Sequence, residues 1–461
     1  MKLFAKILAL FTSIIFALSG VSESAVGYTP GNPINATRQD YCFDNDKLLI
    51  GAYYADYNKL QLAKEAGIEF FIDSSVTEEA LDLCQQYGIG IIAGGYNLSR
   101  GYGDFTENEE RRWSDFDISE YKDHPALWGD DMIDEPGANS FPGIGKAAKA
   151  YYEKTDGKIA FINLFPNYAD NEQLNESNDM SGWAKFMLLT NNASKPYSIR
   201  YKKYISDYVK NIDTDYICLD YYPMRAKLDS KGNTIKYTDS KWLRNLDEVA
   251  DACKRTNRDF WIITQAAGIT LTEEESDNPR HCDTFADISQ QAFASMCFGA
   301  KAIIHAEFAA KGWWDPETSH MIDKNGNTTD TYDAVKKTDS YIAPFAKEYG
   351  NYKYTSTYCI NPMKVAGLDL GKLICDDADE HLDISTKNGL LVGTFTGDEG
   401  KAYVITNMEE LNDEVTAAAV LNVPEGKTIT VYQRGKAYTY SGIEKYYLTL
   451  QPGEGVYVTI K

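Results

Sequence analysis

Residues 127–135 read Leu-Trp-Gly-Asp-Asp-Met-Ile-Asp-Glu and run straight into Pro136 and Gly137. Ionised carboxylates are costly at the end of a buried strand, and two adjacent ones repel. A strand that ends on Asp134 and Glu135 therefore predicts a functional site at that end. Seven further short runs rich in Ile, Val, Phe and Tyr flank it, at 48–53, 68–73, 88–93, 159–164, 216–222, 260–266 and 302–308. Amphipathic stretches lie between them, such as 58–66 and 77–87, each followed by a glycine (Gly67, Gly88) placed as a helix C′ residue. Thr77 followed by Glu78 and Glu79 reads as an N-cap with first-turn acids.

Strand–helix alternation repeated eight times, with strands apolar enough to be covered on both faces, predicts an α/β fold of the closed (β/α)8 TIM-barrel type. A doubly wound open sheet is the alternative. That fold usually carries a Gly-rich phosphate turn after its first strand, where this chain has Ala52-Tyr53-Tyr54-Ala55-Asp56. The longest connection, 166–214, follows the fifth run and is Asn-rich from 167 to 192. In a barrel it is expected over the C-terminal face, where substrates bind. After residue 347 the pattern changes to short strands at 390–395, 401–406, 428–432, 436–440, 446–450 and 456–460, separated by Gly, Asn and Asp turns. This predicts a smaller all-β sandwich domain.

The N-terminus carries Lys2 and Lys6, an apolar stretch from 7 to 18, and small residues at Ser19, Gly20, Ser22, Ser24 and Ala25. These are the parts of a secretory signal peptide, and the apolar core is well short of the roughly 20 residues that span a bilayer. The expected organisation is a signal peptide over 1–25, a barrel over 26–347 and a sandwich over 348–461. A secreted or cell-surface protein is expected, with no membrane insertion after signal removal. With 68 acidic against 46 basic residues and a net charge of −22, the surface repels phosphate backbones, which excludes nucleic acid as a partner. Eight Cys in an exported chain permit disulfides without demanding them, and Cys84, Cys218 and Cys297 fall in apolar patterns where a thiol packs as a small hydrophobe. No C-x-x-C pair or His/Cys cluster occurs, so neither a metal site nor a cofactor is expected.

Residues 124–137, His-Pro-Ala-Leu-Trp-Gly-Asp-Asp-Met-Ile-Asp-Glu-Pro-Gly, resemble the fourth-strand segment of clan A glycoside hydrolases, which ends in Asn-Glu-Pro or Asp-Glu-Pro. The similarity extends to Asn163-Leu-Phe-Pro-Asn-Tyr168, Asp220-Tyr-Tyr-Pro223 and Gly299-Ala-Lys-Ala-Ile303, and covers most of residues 45–345. It implies a glycosidase acting on an oligo- or polysaccharide, with Glu135 as general acid/base. In that group the nucleophile is a Glu on the seventh strand. Here that strand reads Trp261-Ile-Ile-Thr-Gln265-Ala266 and ends on no acid.

Three replacements are open. Glu307, in an otherwise apolar eighth run, is one; Asp220, ending the sixth, is another. A retaining pair stands about 5 to 5.5 Å apart and an inverting pair about 6.5 to 9.5 Å. The third uses no protein nucleophile: Asp134-Glu135 is similar to the pair in hexosaminidases of families 20 and 123, where the Asp orients the substrate's 2-acetamido group and the Glu protonates the leaving oxygen. Adjacent residues on a regular strand point to opposite faces, so this needs a bulge or turn at 133–136. Tyr54, Asn163, Gln265 and His305 are expected to bond sugar hydroxyls, and Tyr222, Trp313 and Trp314 to stack on a pyranose. A carbohydrate-binding pseudoenzyme is the competing function, and a surface scaffold or adhesin a third.

Overall fold

In the computed structural model eight parallel strands close into a barrel, following one another around the ring in chain order. They are β1 (Leu49–Tyr53), β2 (Phe70–Asp73), β3 (Gly90–Gly94), β4 (Leu127–Asp134), β5 (Ile159–Leu164), β6 (Tyr216–Tyr221), β7 (Asp259–Gln265) and β8 (Ala300–Ala306). Each lies on one of the eight apolar runs. The structure describes residues 35–74, 76–94, 121–170, 173–174, 194–268, 282–311, 320–369 and 373–461. The signal-peptide segment therefore lies outside the described residues.

Alternation decides what each strand buries and where. Phe70, Ile72, Phe161, Tyr216, Trp261 and Ile304 fill the lumen. Their neighbours Phe71, Ile162, Ile217, Ile262 and Ile303 face the helices. Those helices are α1 (Leu60–Ala66), α2 (Glu78–Tyr87), α3 (Phe141–Lys154), α4 (Ser194–Asn211), α5 (Trp242–Thr256), α6 (Phe285–Cys297) and α7 (Asp330–Ile342). The end signals act as read: Thr77 accepts from the Ala80 amide, and Gly67 and Gly88 take the left-handed conformation that closes α1 and α2. An antiparallel hairpin, Met224–Leu228 with Thr234–Thr238, extends from β6.

Beyond the barrel lie β9 (Lys353–Ile360), β10 (Ile384–Thr386), β11 (Leu390–Gly397), β12 (Gly400–Asn407), β13 (Ala417–Asn422), β14 (Thr428–Gln433), β15 (Lys436–Ser441), β16 (Lys445–Leu450) and β17 (Gly455–Ile460). They form a six-stranded sheet, β9-β11-β12-β17-β14-β15, and a three-stranded sheet, β10-β13-β16. Leu390, Val392, Ile405, Val431 and Val458 pack toward Leu421, Leu448 and Leu450. The opposite face of the larger sheet, with Leu391, Phe395, Val404 and Tyr457, joins the core of the barrel layer. The approach is close: a Cβ on Gly393 would lie 2.2 Å from the Cys297 carbonyl oxygen at the end of α6. All eight cysteines are free thiols. Among the described residues no helix is long and apolar enough to cross a membrane.

Candidate active site at the C-terminal end of the barrel

The fourth strand departs from regular pairing where its acids begin. Asp131 pairs with Phe161, but Ile133 pairs with Ile162 and Asp134 with Asn163, so Met132 is an extra residue, a bulge. Phe161 faces the lumen and Ile162 the helices. The bulge thus lets Asp131 and Asp134, three residues apart, occupy the same inward-facing set. Glu135 then turns the chain at φ 47°, with its amide donating to the Asn163 carbonyl at 2.9 Å. Asp134 and Glu135 consequently line one cavity, although adjacent residues on a regular strand would not.

That cavity has a volume of about 280 Å³, near the lower end for small-molecule sites. Four carboxyl groups line it, from Asp134, Glu135, Asp220 and Glu307. Tyr53, Tyr54, Phe165, Tyr168 and Tyr222 supply aromatic wall. Strands β4 and β8 are opposite each other in a ring of eight, so Glu307, which follows β8 across a cis peptide bond, stands on the wall facing Glu135. His320 brings its Nδ1 to 3.8 Å from a Glu307 carboxyl oxygen.

On the other wall the acids are hydrogen-bonded together. Asn163 Nδ2 donates to Asp134 Oδ1 at 2.8 Å and to Asp220 Oδ1 at 3.2 Å. Tyr222 stands close enough to Asp220 to lower its pKa, and Asp220 close enough to Glu135 to raise that of Glu135. Two neighbouring buried carboxyls repel when both are ionised, which favours a proton on the pair. Burial, then the charges of Asp220 and Asp134, raise the Glu135 pKa well above the usual carboxylate range. Burial and Asp134 raise that of Asp220, while the bonds from Asn163 and Tyr222 pull it back. Burial also raises Asp134, against the Asn163 bond, and Asp131, which has Asp134 and Asp130 as like-charged neighbours. Burial and like charge raise both carboxyls, so the Glu135–Asp220 pair holds a proton above the usual carboxylate range.

A carboxyl whose folded pKa lies above its unfolded value of about 4 holds more protons folded than unfolded between the two. Its contribution is fully present below the unfolded value and is lost as pH rises through the folded one. Replacing Glu135 by Gln removes that loss. The variant is expected to melt higher than the wild type by a few degrees at pH 8 and by much less at pH 4, read by scanning calorimetry. Equal shifts at both pH values would mean that Glu135 is not held protonated by the fold.

Tyr54, Asn163 and Tyr222 line the cavity with the four acids, but two residues expected to bond sugar hydroxyls do not. Gln265 is spent within the fold: its Oε1 accepts from the Met224 amide at 3.1 Å and its Nε2 donates to the Ala267 carbonyl at 3.1 Å. His305 points away from the lumen, with Nε2 at 3.4 Å from Asp339 Oδ1 on α7, because Ala302, Ile304 and Ala306 take the inward positions of β8. Trp313 and Trp314 lie outside the described residues. Sequence reasoning missed Tyr53, Phe165, Tyr168 and His320. The first adjoins Tyr54 at the end of β1, and the next two lie in the segment after β5 singled out for its resemblance, so position was the available signal.

The closed barrel with antiparallel sheets beyond it is a fold that this chain shares with solved structures of glycoside hydrolases. Among solved structures, a catalytic mutant of a GH42 beta-galactosidase from G. stearothermophilus matches with a TM-score of 0.50 and 10% identity, over 92% of this chain and 100% of that one. A second, described as a glycoside hydrolase, matches with a TM-score of 0.50 and 9% identity, over 94% and 98%. At such identity the likeness is one of fold. No family profile and no curated protein matches the chain.

Proposed function

We propose that the protein is a glycoside hydrolase acting on a glycan, with Glu135 as its general acid. One observation carries this reading: the Glu135 carboxyl lines a cavity at the C-terminal end of the barrel with three other acids, where burial and their charges raise its pKa. An acid with a proton to give at neutral pH is what departure of an alkoxide leaving group needs. Asp220 lines the cavity on the same wall as Glu135 and acts on its pKa. Its part is to hold the proton on Glu135. Glu307, on the facing wall, is the second carboxylate. As the bond to the leaving oxygen breaks, the Glu135 proton passes to that oxygen, and Glu307 either bonds the anomeric carbon or takes a proton from an attacking water. Asn163, Tyr54 and Tyr222 are then the polar contacts of the sugar, and the aromatic walls its stacking surface.

The bulge at Met132 favours a second reading, because it brings Asp134 into the cavity with Glu135, as assistance by a 2-acetamido group would require. The signal-peptide pattern of 1–25 supports export to the cell surface or medium, with residues 26–347 as the catalytic domain and 348–461 as an attached sandwich. The test is a product profile on defined neutral and N-acetylated oligosaccharides, with Glu135→Gln as control. Cleavage by the wild type alone supports the glycosidase; cleavage restricted to N-acetylated substrates supports substrate assistance. Binding without cleavage would leave a carbohydrate-binding pseudoenzyme.

A further inference from the structure

Glu135 bears a Cβ yet sits in the left-handed region at φ 47°, a conformation that persists only where the surroundings hold it. Two hydrogen bonds bracket it. Before it, its own amide donates to the Asn163 carbonyl at 2.9 Å. After it, the Pro136 carbonyl accepts from the Tyr204 hydroxyl at 2.7 Å. The same hydroxyl accepts from the Phe165 amide at 3.3 Å. One oxygen atom on α4 thus ties the turn that follows β4 to the chain that leaves β5, and Phe165 is itself part of the cavity wall.

Tyr204 is completely buried, with its ring 5.1 Å from that of Phe141. Phe would supply the same packing without the cost of taking a hydroxyl out of water, so it is the two hydrogen bonds that a Phe could not provide. The other tyrosines of this helix stripe are engaged elsewhere: Tyr201 accepts from Asn245 at 3.0 Å and Tyr208 pairs with Thr214 at 2.8 Å. We propose that Tyr204 is a positioning residue, whose hydroxyl fixes the Glu135–Pro136 turn and with it the place of the Glu135 carboxyl in the cavity. The proposal rests on the reading of Glu135 as the general acid.

The experiment compares wild type, Y204F, Y208F and E135Q in the full chain. The infrared absorption of protonated carboxyls is followed against pH, with E135Q assigning the Glu135 band, and turnover is measured on methyl and 4-nitrophenyl glycosides of the sugar that the product profile identifies. In Y204F the Glu135 band is expected to titrate roughly one pH unit lower, a tenfold weaker hold on the proton. Turnover of the methyl glycoside should fall about tenfold while that of the nitrophenyl glycoside, which needs no protonation, changes little. Y208F removes a buried hydroxyl from the same helix and should move neither. Tyr204→His keeps a ring with a donor and an acceptor; it is expected to titrate between Y204F and wild type, and serves if Y204F does not fold. A Y204F band that titrates as in wild type, or equal losses on both glycosides, would overturn the proposal and leave Glu135 as the acid. If E135Q removes no protonated-carboxyl band, the acid assignment itself fails and takes the proposal with it.

Discussion

Replacing Glu135 by Gln is expected to lower turnover of a glycoside with a poor leaving group by roughly 10²- to 10⁴-fold, and to affect one with an activated aryl leaving group far less. The difference follows from what each bond requires. An alkoxide must be protonated as it departs, whereas a nitrophenolate departs unaided. Gln keeps the shape of Glu and can offer an N–H to Asp220, while the transferable proton is lost. The pH profile should change with it. Burial and the neighbouring acids raise the Glu135 pKa, so the alkaline limb of the wild type is expected well above the range of an ordinary carboxyl. In the variant that limb should disappear from reactions of the activated substrate. Equal losses on both kinds of leaving group would assign Glu135 a role other than proton donation.

How far the sequence leads to this site differs from one layer of the argument to the next. Barrel strands are buried on both faces, so each leaves a continuous apolar run, and all eight runs hold a strand. The sandwich strands are less legible: Leu390–Gly397 and Gly455–Ile460 announce themselves, but Ala417–Asn422, Ala-rich and with alternate residues turned to the surface, does not read as a strand, and Ile384–Thr386 is too short to leave a pattern. Within the site, facing is what a sequence conceals. His305 and Ala306 are neighbours at the same strand end, yet only the latter reaches the cavity, and Gln265 reaches the right end of β7 with its side chain already taken by the Met224 amide. A bulge hides more. Counting by twos from Asp134 places Asp131 on the outer face; the extra residue at Met132 turns it inward, beneath the acids.

The carboxylate opposite Glu135 decides between the remaining mechanisms, and Glu307→Gln is its test. If Glu307 attacks the anomeric carbon or activates water, the step it serves comes before or with departure of any leaving group, good or poor. Its loss is therefore expected to lower turnover of methyl and nitrophenyl glycosides alike, on the order of 10²- to 10⁴-fold. That pattern lacks the selectivity expected for Glu135→Gln, so the two variants together assign both roles. The anomer released first by the wild type, read by NMR, completes the assignment: retention makes Glu307 the nucleophile, and inversion makes it the base. Glu307 follows β8 on the opposite wall, with His320 as a close neighbour, so its replacement is expected to leave the pair around Glu135 in place. The infrared band of Glu135 should consequently be unchanged, which separates loss of the second carboxylate from collapse of the site. Turnover of Glu307→Gln within a few-fold of wild type would remove Glu307 from the reaction. Asp134→Asn then becomes the informative variant, because only assistance by the substrate's own 2-acetamido group would still need a carboxylate on the Glu135 wall.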